Sequence, residues 1–215
     1  MGLKPKMVMA ASGLCIGLIA SGNAAAATVS YSGTLGADDQ VQLYAYTLAQ
    51  ASNVVFSTDS YGGGVTNGIT IAPGGFVPVL SLFDSAGNVV ANDGADATCY
   101  AGMQADPGTS MCDDAYLSES LAAGSYTLAV SEFFNVPNGP NLSDGFLMQG
   151  QGNFTGPNCG TTGGFYEADI APCVQRTNSF SVSATTTPEP STLWLAAVPM
   201  IFFGVFRRRN SLTQN

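Results

Sequence analysis

A β-hairpin in the middle of the chain decides the fold, and its sequence is Val79-Leu-Ser-Leu-Phe83, Asp84-Ser-Ala-Gly87, Asn88-Val-Val-Ala91. A short apolar run, a turn that ends in glycine and a second apolar run together predict two antiparallel strands joined by a tight turn. Pro78 precedes the first run, and proline is tolerated at the first residue of a strand because it has no N–H to donate to the sheet. The stretch therefore predicts a central strand and its partner.

Other segments show strand patterns on both sides of this hairpin. Residues 41–48 alternate between two faces with the period of a strand, and residues 115–121 and 126–134 alternate around a turn at 122–125, which predicts a second hairpin. Further strands are predicted at 29–35, 54–60, 69–72, 146–154 and 179–183. Because no helical periodicity is sustained, the sequence predicts an all-β domain over residues 28–187, an antiparallel β-sandwich of about eight or nine strands.

The charge of the chain divides unevenly between its ends and its middle. Of 215 residues, 15 are acidic, 6 are basic and none is histidine. Five basic residues lie near the termini, so residues 28–187 hold one arginine, Arg176, against fourteen acidic residues, a formal charge of −13. Phosphate binding requires clustered lysine and arginine, so nucleic acid is excluded as a partner. Divalent cations are natural counterions of such a domain, although acidic surfaces also keep secreted proteins soluble.

The first 27 residues have the features of a secretory signal peptide. Lys4 and Lys6 precede an uncharged, mainly apolar run over residues 7–20, which predicts a signal helix, and residues 21–27 supply the small side chains that signal peptidase requires. We expect signal peptidase to cleave near Ala26 or Ala27. The domain that follows is therefore predicted to be exported.

Three features follow one another at the C-terminal end. A Pro-Glu-Pro triplet occupies positions 188–190, residues 191–206 are uncharged and mainly apolar, and three arginines occupy positions 207–209. The uncharged run predicts a transmembrane helix, somewhat short of the ~20 residues that span a bilayer comfortably. Because arginine resists crossing the membrane, the arginines and the tail at 210–215 are predicted to stay cytoplasmic.

In this order and spacing, the triplet, the apolar segment and the arginine cluster resemble the PEP-CTERM sorting signal of Gram-negative bacteria. The resemblance implies that an exosortase, an integral membrane protease, processes the chain near the triplet after a transient stay in the inner membrane. It also implies export together with exopolysaccharide, to the cell surface or the extracellular space. The residues that the resemblance assigns to processing and sorting are Pro188, Glu189, Pro190, Arg207, Arg208 and Arg209.

A second resemblance covers part of the exported domain. The segments Leu80-Ser-Leu-Phe-Asp-Ser-Ala-Gly-Asn-Val-Val-Ala-Asn-Asp93 and Leu121-Ala-Ala-Gly-Ser-Tyr-Thr-Leu-Ala-Val130 are similar to segments of the bacterial pre-peptidase C-terminal domains. Such domains are jelly-roll-like β-sandwiches attached to secreted enzymes, and some bind calcium or extracellular polymers. The resemblance implies a jelly-roll-like fold for residues 28–187.

The exported domain contains four cysteines, Cys99, Cys112, Cys159 and Cys173. An oxidising compartment makes disulfides their expected state. Of the three possible connectivities, the pairing Cys99–Cys112 with Cys159–Cys173 is favoured because each pair brackets one loop. Zinc is the alternative, but the sequence lacks the closely spaced cysteine pairs and the histidines that zinc sites commonly use.

Acidic residues on both sides of the first cysteine loop form the strongest candidate for a metal site. The candidate ligands, which a Cys99–Cys112 bond would bring together, are Asn92, Asp93, Asp96, Asp113 and Asp114. Calcium takes 6 to 8 oxygen ligands from carboxylates, amides and carbonyls, so calcium is the cofactor that this group predicts if it binds one. The same residue types are typical of exposed turns, and both interpretations stay open. The pair Asp38-Asp39 is interpreted as a turn before a strand.

The sequence offers little catalytic chemistry. Without histidine there is no Ser-His or Cys-His pair, and no nucleophile elbow or phosphate-binding loop is present. Glu119 and Glu132 lie on the two strands of the second predicted hairpin, as in a two-carboxylate glycosidase site, but solvent-facing strand positions explain them more simply. Aromatic residues that would stack on sugar rings if they are exposed are Tyr44, Tyr46, Tyr61, Phe133 and Phe134.

The sequence thus predicts a non-enzymatic, exported cell-surface or extracellular-matrix protein with a structural or adhesive role in an exopolysaccharide layer. A calcium-dependent carbohydrate-binding module is the alternative from a different class. A secreted hydrolase with unrecognised catalytic carboxylates is the third hypothesis.

Overall fold

A computed structural model describes residues 26–94, 97–167 and 173–188 of the chain. Strands dominate this part of the protein, and the helical elements described are two 3₁₀ turns, Leu142–Asp144 and Gly156–Cys159. The strands in chain order are β1 (Ala27–Thr34), β2 (Gln42–Leu48), β3 (Ser52–Asp59), β4 (Gly64–Thr66), β5 (Ile69–Ile71), β6 (Pro78–Phe83), β7 (Val89–Asp93), β8 (Tyr116–Leu121), β9 (Gly124–Glu132), β10 (Tyr166–Glu167), β11 (Val174–Gln175) and β12 (Ser179–Pro188). The predicted all-β fold with antiparallel sheets is confirmed.

Two four-stranded antiparallel sheets form the body of the domain. The first has the strand order β1-β12-β3-β8 and the second has the order β2-β9-β6-β7. The short strands form two separate ladders, β4 with β5 and β10 with β11. The last long strand, β12, lies inside the first sheet because it pairs with β1 on one side and with β3 on the other.

The two sheets share one apolar core. Alternate residues of β3, such as Val54 and Phe56, are fully buried, as are Leu80 and Leu82 of β6 in the other sheet, and all four belong to the same cluster. The Tyr46 ring of β2 meets the Phe56 ring edge to face, with centroids 5.2 Å apart. The period of two that predicted these strands therefore places one face of each sheet against the other.

The central hairpin is confirmed. Strand β6 is buried along its whole length and pairs with β7 from Leu80↔Asp93 to Phe83↔Val89. In the turn, Asp84 Oδ1 accepts hydrogen bonds from the amides of Ala86 at 2.9 Å and Asn88 at 2.8 Å. Gly87 has a φ of 84°, a conformation that glycine adopts without steric cost, so the Asp-Ser-Ala-Gly sequence specifies the turn.

The second predicted hairpin is wrong. Strand β8 pairs with β3 in the first sheet, whereas β9 pairs with β2 and β6 in the second. The two residues between β8 and β9, Ala122 and Ala123, therefore carry the chain from one sheet to the other. The segment that joins β2 to β3 also passes from the second sheet to the first. It lies beside the link from β8 to β9, because Leu48 pairs with Gly124 and Ser52 pairs with Leu121. The alternation of apolar and polar residues identified both strands correctly, but it did not determine which strand each of them pairs with.

A predicted strand at residues 146–154 is also wrong, because this segment forms turns with a single bridge between Phe146 and Pro137. Glycines at 150 and 152 with positive φ interrupt its extended backbone. The predicted signal helix over residues 7–20, the transmembrane helix at 191–206 and the arginines at 207–209 lie outside the described residues. Among the residues that are described, no helix has the length and apolar character needed to cross a membrane.

Candidate functional site

Both predicted disulfides are present. Cys99 is bonded to Cys112 with 5.1 Å between their Cα atoms, and Cys159 is bonded to Cys173 with 5.6 Å. The first bond closes the loop between β7 and β8, and the second joins the 3₁₀ turn Gly156–Cys159 to the residue before β11. The local pairing follows from the sequence because each pair is separated by few residues.

The predicted calcium ligands that the structure describes lie on the two sides of the loop that the Cys99–Cys112 bond closes. Asn92 and Asp93 lie on β7, and Asp93 Oδ2 accepts a hydrogen bond from the amide of Tyr116 at 3.0 Å. Asp113 and Asp114 are buried immediately before β8. Asp96 lies outside the described residues, so the complete ligand set stays a prediction. Within the described part of the chain, no group of three or more acidic or cysteine side chains has the arrangement of a metal site.

The carboxylate of Asp114 is engaged in hydrogen bonds that join two strands of the first sheet. Its Oδ1 accepts from Thr58 Oγ1 at 2.9 Å and from the amide of Ser60 at 2.7 Å, and its Oδ2 accepts from the amide of Gly62 at 2.8 Å. Burial raises the pKa of Asp114 to about 6, although these donors oppose that change. Asp114 thus joins the end of β3 to the start of β8.

The sorting residues are described only at their first position. Pro188 is the last residue of β12, where it pairs with Ser52 of β3. Positions 189, 190 and 207–209 lie outside the described residues. Their assigned roles stay predictions.

The two carboxylates that a glycosidase mechanism would use do not lie on one hairpin. Glu119 is on β8 in the first sheet and Glu132 is the last residue of β9 in the second. The expected solvent-facing position is wrong for Glu132, whose side chain is buried with the residue 5% exposed. Its Oε2 atom has no hydrogen-bond partner within the described part of the molecule. Burial, together with the negative charges of Asp38 and Glu167, raises the pKa of Glu132 well above its ordinary value.

Glu132 lies in the wall of a cavity of about 180 Å³. Aromatic rings supply much of the rest of the wall, from Phe133, Phe134, Phe154 and Tyr166. Phe133 and Phe134 contact each other with ring centroids 4.4 Å apart, and Phe134 is 57% exposed. The backbone of Phe134 has a φ of 71°, which is a rare conformation for a bulky residue.

Of the aromatic residues that the sequence suggested for sugar stacking, the structure brings Phe133 and Phe134 together at this cavity. Tyr46 and Tyr61 are instead buried. Tyr44 is partly buried, and its ring packs against Tyr31 with centroids 4.7 Å apart. The aromatic platform is therefore smaller than the sequence predicted.

A buried cation supports one side of the cavity. Arg176 follows β11, is 7% exposed and donates from Nη1 to Asp106 Oδ2 at 2.9 Å and from Nε to Glu167 Oε2 at 2.8 Å. Its guanidinium carbon lies 4.2 Å from the centroid of the Tyr61 ring. Burial by itself lowers the pKa of Arg176, but the hydrogen bonds to Asp106 and Glu167 raise it. Burial likewise opposes ionisation of Asp106, and the contact with Arg176 lowers the pKa of that carboxyl.

Asp38 positions the loop that contributes Phe154 to the cavity. The buried carboxylate accepts hydrogen bonds from the amides of Phe154 at 2.9 Å and Thr155 at 3.0 Å. The interpretation of Asp38 as part of a turn before β2 is correct, and the turn also organises a segment more than a hundred residues away. A buried carboxylate in such a turn accounts for the shape of the cavity on that side.

Sequence reasoning did not identify this site. Two signals pointed to it: Arg176 is the only basic residue in a strongly acidic domain, and Glu132 is followed directly by two phenylalanines. Neither signal revealed that Glu132 is buried or that Arg176 contacts Asp106 and Glu167. Comparison of the chain with protein-family models and with curated proteins finds no match.

Proposed function

We propose that this protein is an exported, disulfide-braced component of a bacterial cell surface or extracellular matrix, with a jelly-roll-like β-sandwich between a signal peptide and a PEP-CTERM sorting tail. The observation that carries the proposal is the extent of the fold. Its first strand begins at Ala27, where the predicted signal peptide ends, and its last strand ends at Pro188, where the predicted sorting triplet begins. The strands described thus begin and end next to the two predicted targeting segments.

The topology supports a structural role for an attached domain. β1 and β12 are antiparallel neighbours, and Ala27 pairs with Thr186, so the start of β1 and the end of β12, which adjoin the two predicted targeting segments, lie at the same end of the sheet. A chain attached through its C-terminal tail transmits force to β12. Because β12 has hydrogen-bonded neighbours on both sides, such a force must break two ladders before the strand leaves the sheet.

Mass spectrometry of the protein from the native cell surface tests the sorting proposal. We expect a mature N-terminus at Ala27 or Thr28, a C-terminus within or near positions 188–190, and both disulfides intact. Glu189→Ala is expected to leave the domain folded but untrimmed. Glu119→Ala removes an acidic residue elsewhere in the chain and is the control, since it is expected to be trimmed normally. Normal trimming of the Glu189→Ala protein would exclude exosortase processing.

Carbohydrate binding is the second candidate function, and the exposed ring of Phe134 at the cavity favours it. Aromatic faces stack on the apolar faces of sugar rings, and a partly exposed ring is available for such contact. Calorimetric titration with purified exopolysaccharide, with and without calcium, tests both the ligand and the metal. An absence of heat under both conditions, with an unchanged melting temperature, would exclude this function and leave the structural one.

A further inference from the structure

The carboxyl group of Glu132 is not fully satisfied by the described part of the fold. It is buried at the end of β9, and its Oε2 atom has no hydrogen-bond partner among residues 26–94, 97–167 and 173–188. Nearly all buried polar side-chain atoms have a partner, because a buried group that lacks one costs free energy. An unsatisfied carboxyl in the wall of a cavity is therefore a feature that a ligand would explain.

The backbone beside this carboxyl is strained. Phe134 has a φ of 71° and presents a largely exposed ring next to the cavity. A hydrogen bond of 3.0 Å from the Asn135 amide to the Glu132 carbonyl closes the turn that holds this conformation. Bulky residues with positive φ occur where the surrounding structure imposes them, and they concentrate at ligand-binding sites. The strain is thus a second observation, independent of Glu132, at the same place.

The charges around the cavity favour a cation. The groups that act electrostatically on Glu132 are the carboxylates of Asp38 and Glu167 and the guanidinium of Arg176. Arg176 already donates from Nε and Nη2 to Glu167 and from Nη1 to Asp106, so those two carboxylates more than balance its single positive charge. An anionic ligand would meet the remaining negative charge of Asp38, whereas a cation would pair with Glu132.

We infer that the cavity binds a small ligand that carries an ammonium group, with Glu132 as its counter-ion and the rings of Phe133, Phe134 and Tyr166 around it. Ammonium groups are attracted to the faces of aromatic rings, and aromatic side chains with a carboxylate form a common environment for them. The cavity volume of about 180 Å³ is below the ~300 to 1,000 Å³ typical of pockets for drug-sized molecules, so the ligand is a unit of about one ring. The inference concerns binding alone and does not depend on the sorting proposal.

Binding has a defined proton balance. Burial and the negative charges of Asp38 and Glu167 raise the pKa of Glu132, so in the unoccupied protein its carboxyl binds a proton more tightly than an exposed glutamate does. The ammonium group keeps its own proton, and wherever Glu132 is protonated before binding it releases that proton to the buffer as it becomes the counter-ion. Affinity must therefore increase as the pH rises, up to the pH at which the amine itself deprotonates.

Isothermal titration calorimetry of the exported, disulfide-bonded protein tests this inference with two pairs of probes. Cyclohexylamine is compared with cyclohexanol and glucosamine with glucose, because each pair differs mainly in the charged group. We expect at least one amine to bind, its neutral partner to bind at least tenfold more weakly, and the heat to change with the ionisation enthalpy of the buffer as a proton is released. Failure of both amines to bind, or equal binding of the neutral compounds, would overturn the inference.

Two variants and one control locate the site. Glu132→Gln keeps the size of the side chain and removes its charge, so we expect it to weaken amine binding about tenfold or more. Phe134→Ala removes an exposed ring at the cavity and is expected to weaken binding without loss of the fold. Glu119→Gln removes one negative charge from the other sheet and is expected to bind like the wild type. Equal binding by the wild type and by both cavity variants would show that the amine binds elsewhere on the acidic surface.

Discussion

Replacement of Arg176 by methionine is expected to lower the free energy of unfolding by about 3 to 5 kcal/mol. The guanidinium is buried and donates to Asp106 at 2.9 Å and to Glu167 at 2.8 Å. Methionine has a similar length and no charge, so both carboxylates would remain in place without the cation that compensates them. Removal of one partner from a buried ion pair costs this amount because the remaining charge has lost water and gained no other partner.

Urea unfolding followed by circular dichroism, with the disulfides intact, measures this change. For a domain of this size, each kcal/mol corresponds to a change in melting temperature of about 2 to 4 °C, so the Arg176→Met protein is expected to melt on the order of 10 °C lower. Two controls separate charge from packing. Arg176→Met combined with Asp106→Asn and Glu167→Gln removes the uncompensated charges and is expected to regain most of the lost stability. Tyr61→Phe keeps the ring beneath the guanidinium and is expected to cost only about 1 kcal/mol.

The reasoning fails if Arg176→Met costs less than about 1 kcal/mol, which is the usual contribution of an exposed ion pair. It also fails if the triple variant is no more stable than Arg176→Met. Either result would mean that Asp106 and Glu167 do not carry buried charge in the absence of the arginine.

Three further predictions concern stability. Conversion of Cys99 and Cys112 to serine is expected to lower the free energy of unfolding by about 3 kcal/mol, measured by urea unfolding, because the bond closes a loop between cysteines that are 13 positions apart in the sequence. Asp38→Asn is expected to cost about 1 to 3 kcal/mol in the same measurement and to increase amide hydrogen exchange at residues 154 and 155, because its NH₂ group would face backbone donors. Burial raises the pKa of Asp114 to about 6 and that of Glu132 well above its ordinary value, so both bind protons more tightly in the folded than in the unfolded protein. Above about pH 5, where carboxyls of ordinary or lowered pKa are already ionised, the melting temperature is therefore expected to fall as the pH rises through 6 and beyond, and less steeply in Glu132→Gln; a curve that rises over this range would contradict both pKa changes.

The features that could be predicted from the sequence are local. The hairpin of β6 and β7 depends on an apolar run and on a turn whose aspartate and glycine act within four residues. The two disulfides join cysteines that are 13 and 14 positions apart in the sequence. In each case the interacting groups are close in the chain, so the local sequence pattern predicts both the structural element and the residues that it contacts.

The features that could not be predicted depend on distant partners. Alternation in β8 and β9 showed which residues would be buried, but the same alternation is compatible with a hairpin and with a crossing between sheets. The pairing of β8 with β3 and of β9 with β2 places these two strands in different sheets. Their apolar residues meet in the core between the sheets. A loop at 146–154 replaces a predicted strand because Asp38 and Asp39 accept hydrogen bonds from its amides.

The amino-acid sequence by itself determined that this is an acidic, disulfide-containing β domain with strand patterns between two predicted targeting segments. The tertiary structure decided that Glu132 is buried, that Arg176 lies between Asp106 and Glu167, and that aromatic side chains from separate segments surround one cavity. The physical reason is that strand periodicity and turn chemistry act over a few residues. Burial and electrostatic pairing, in contrast, depend on which distant segments the sheets bring together.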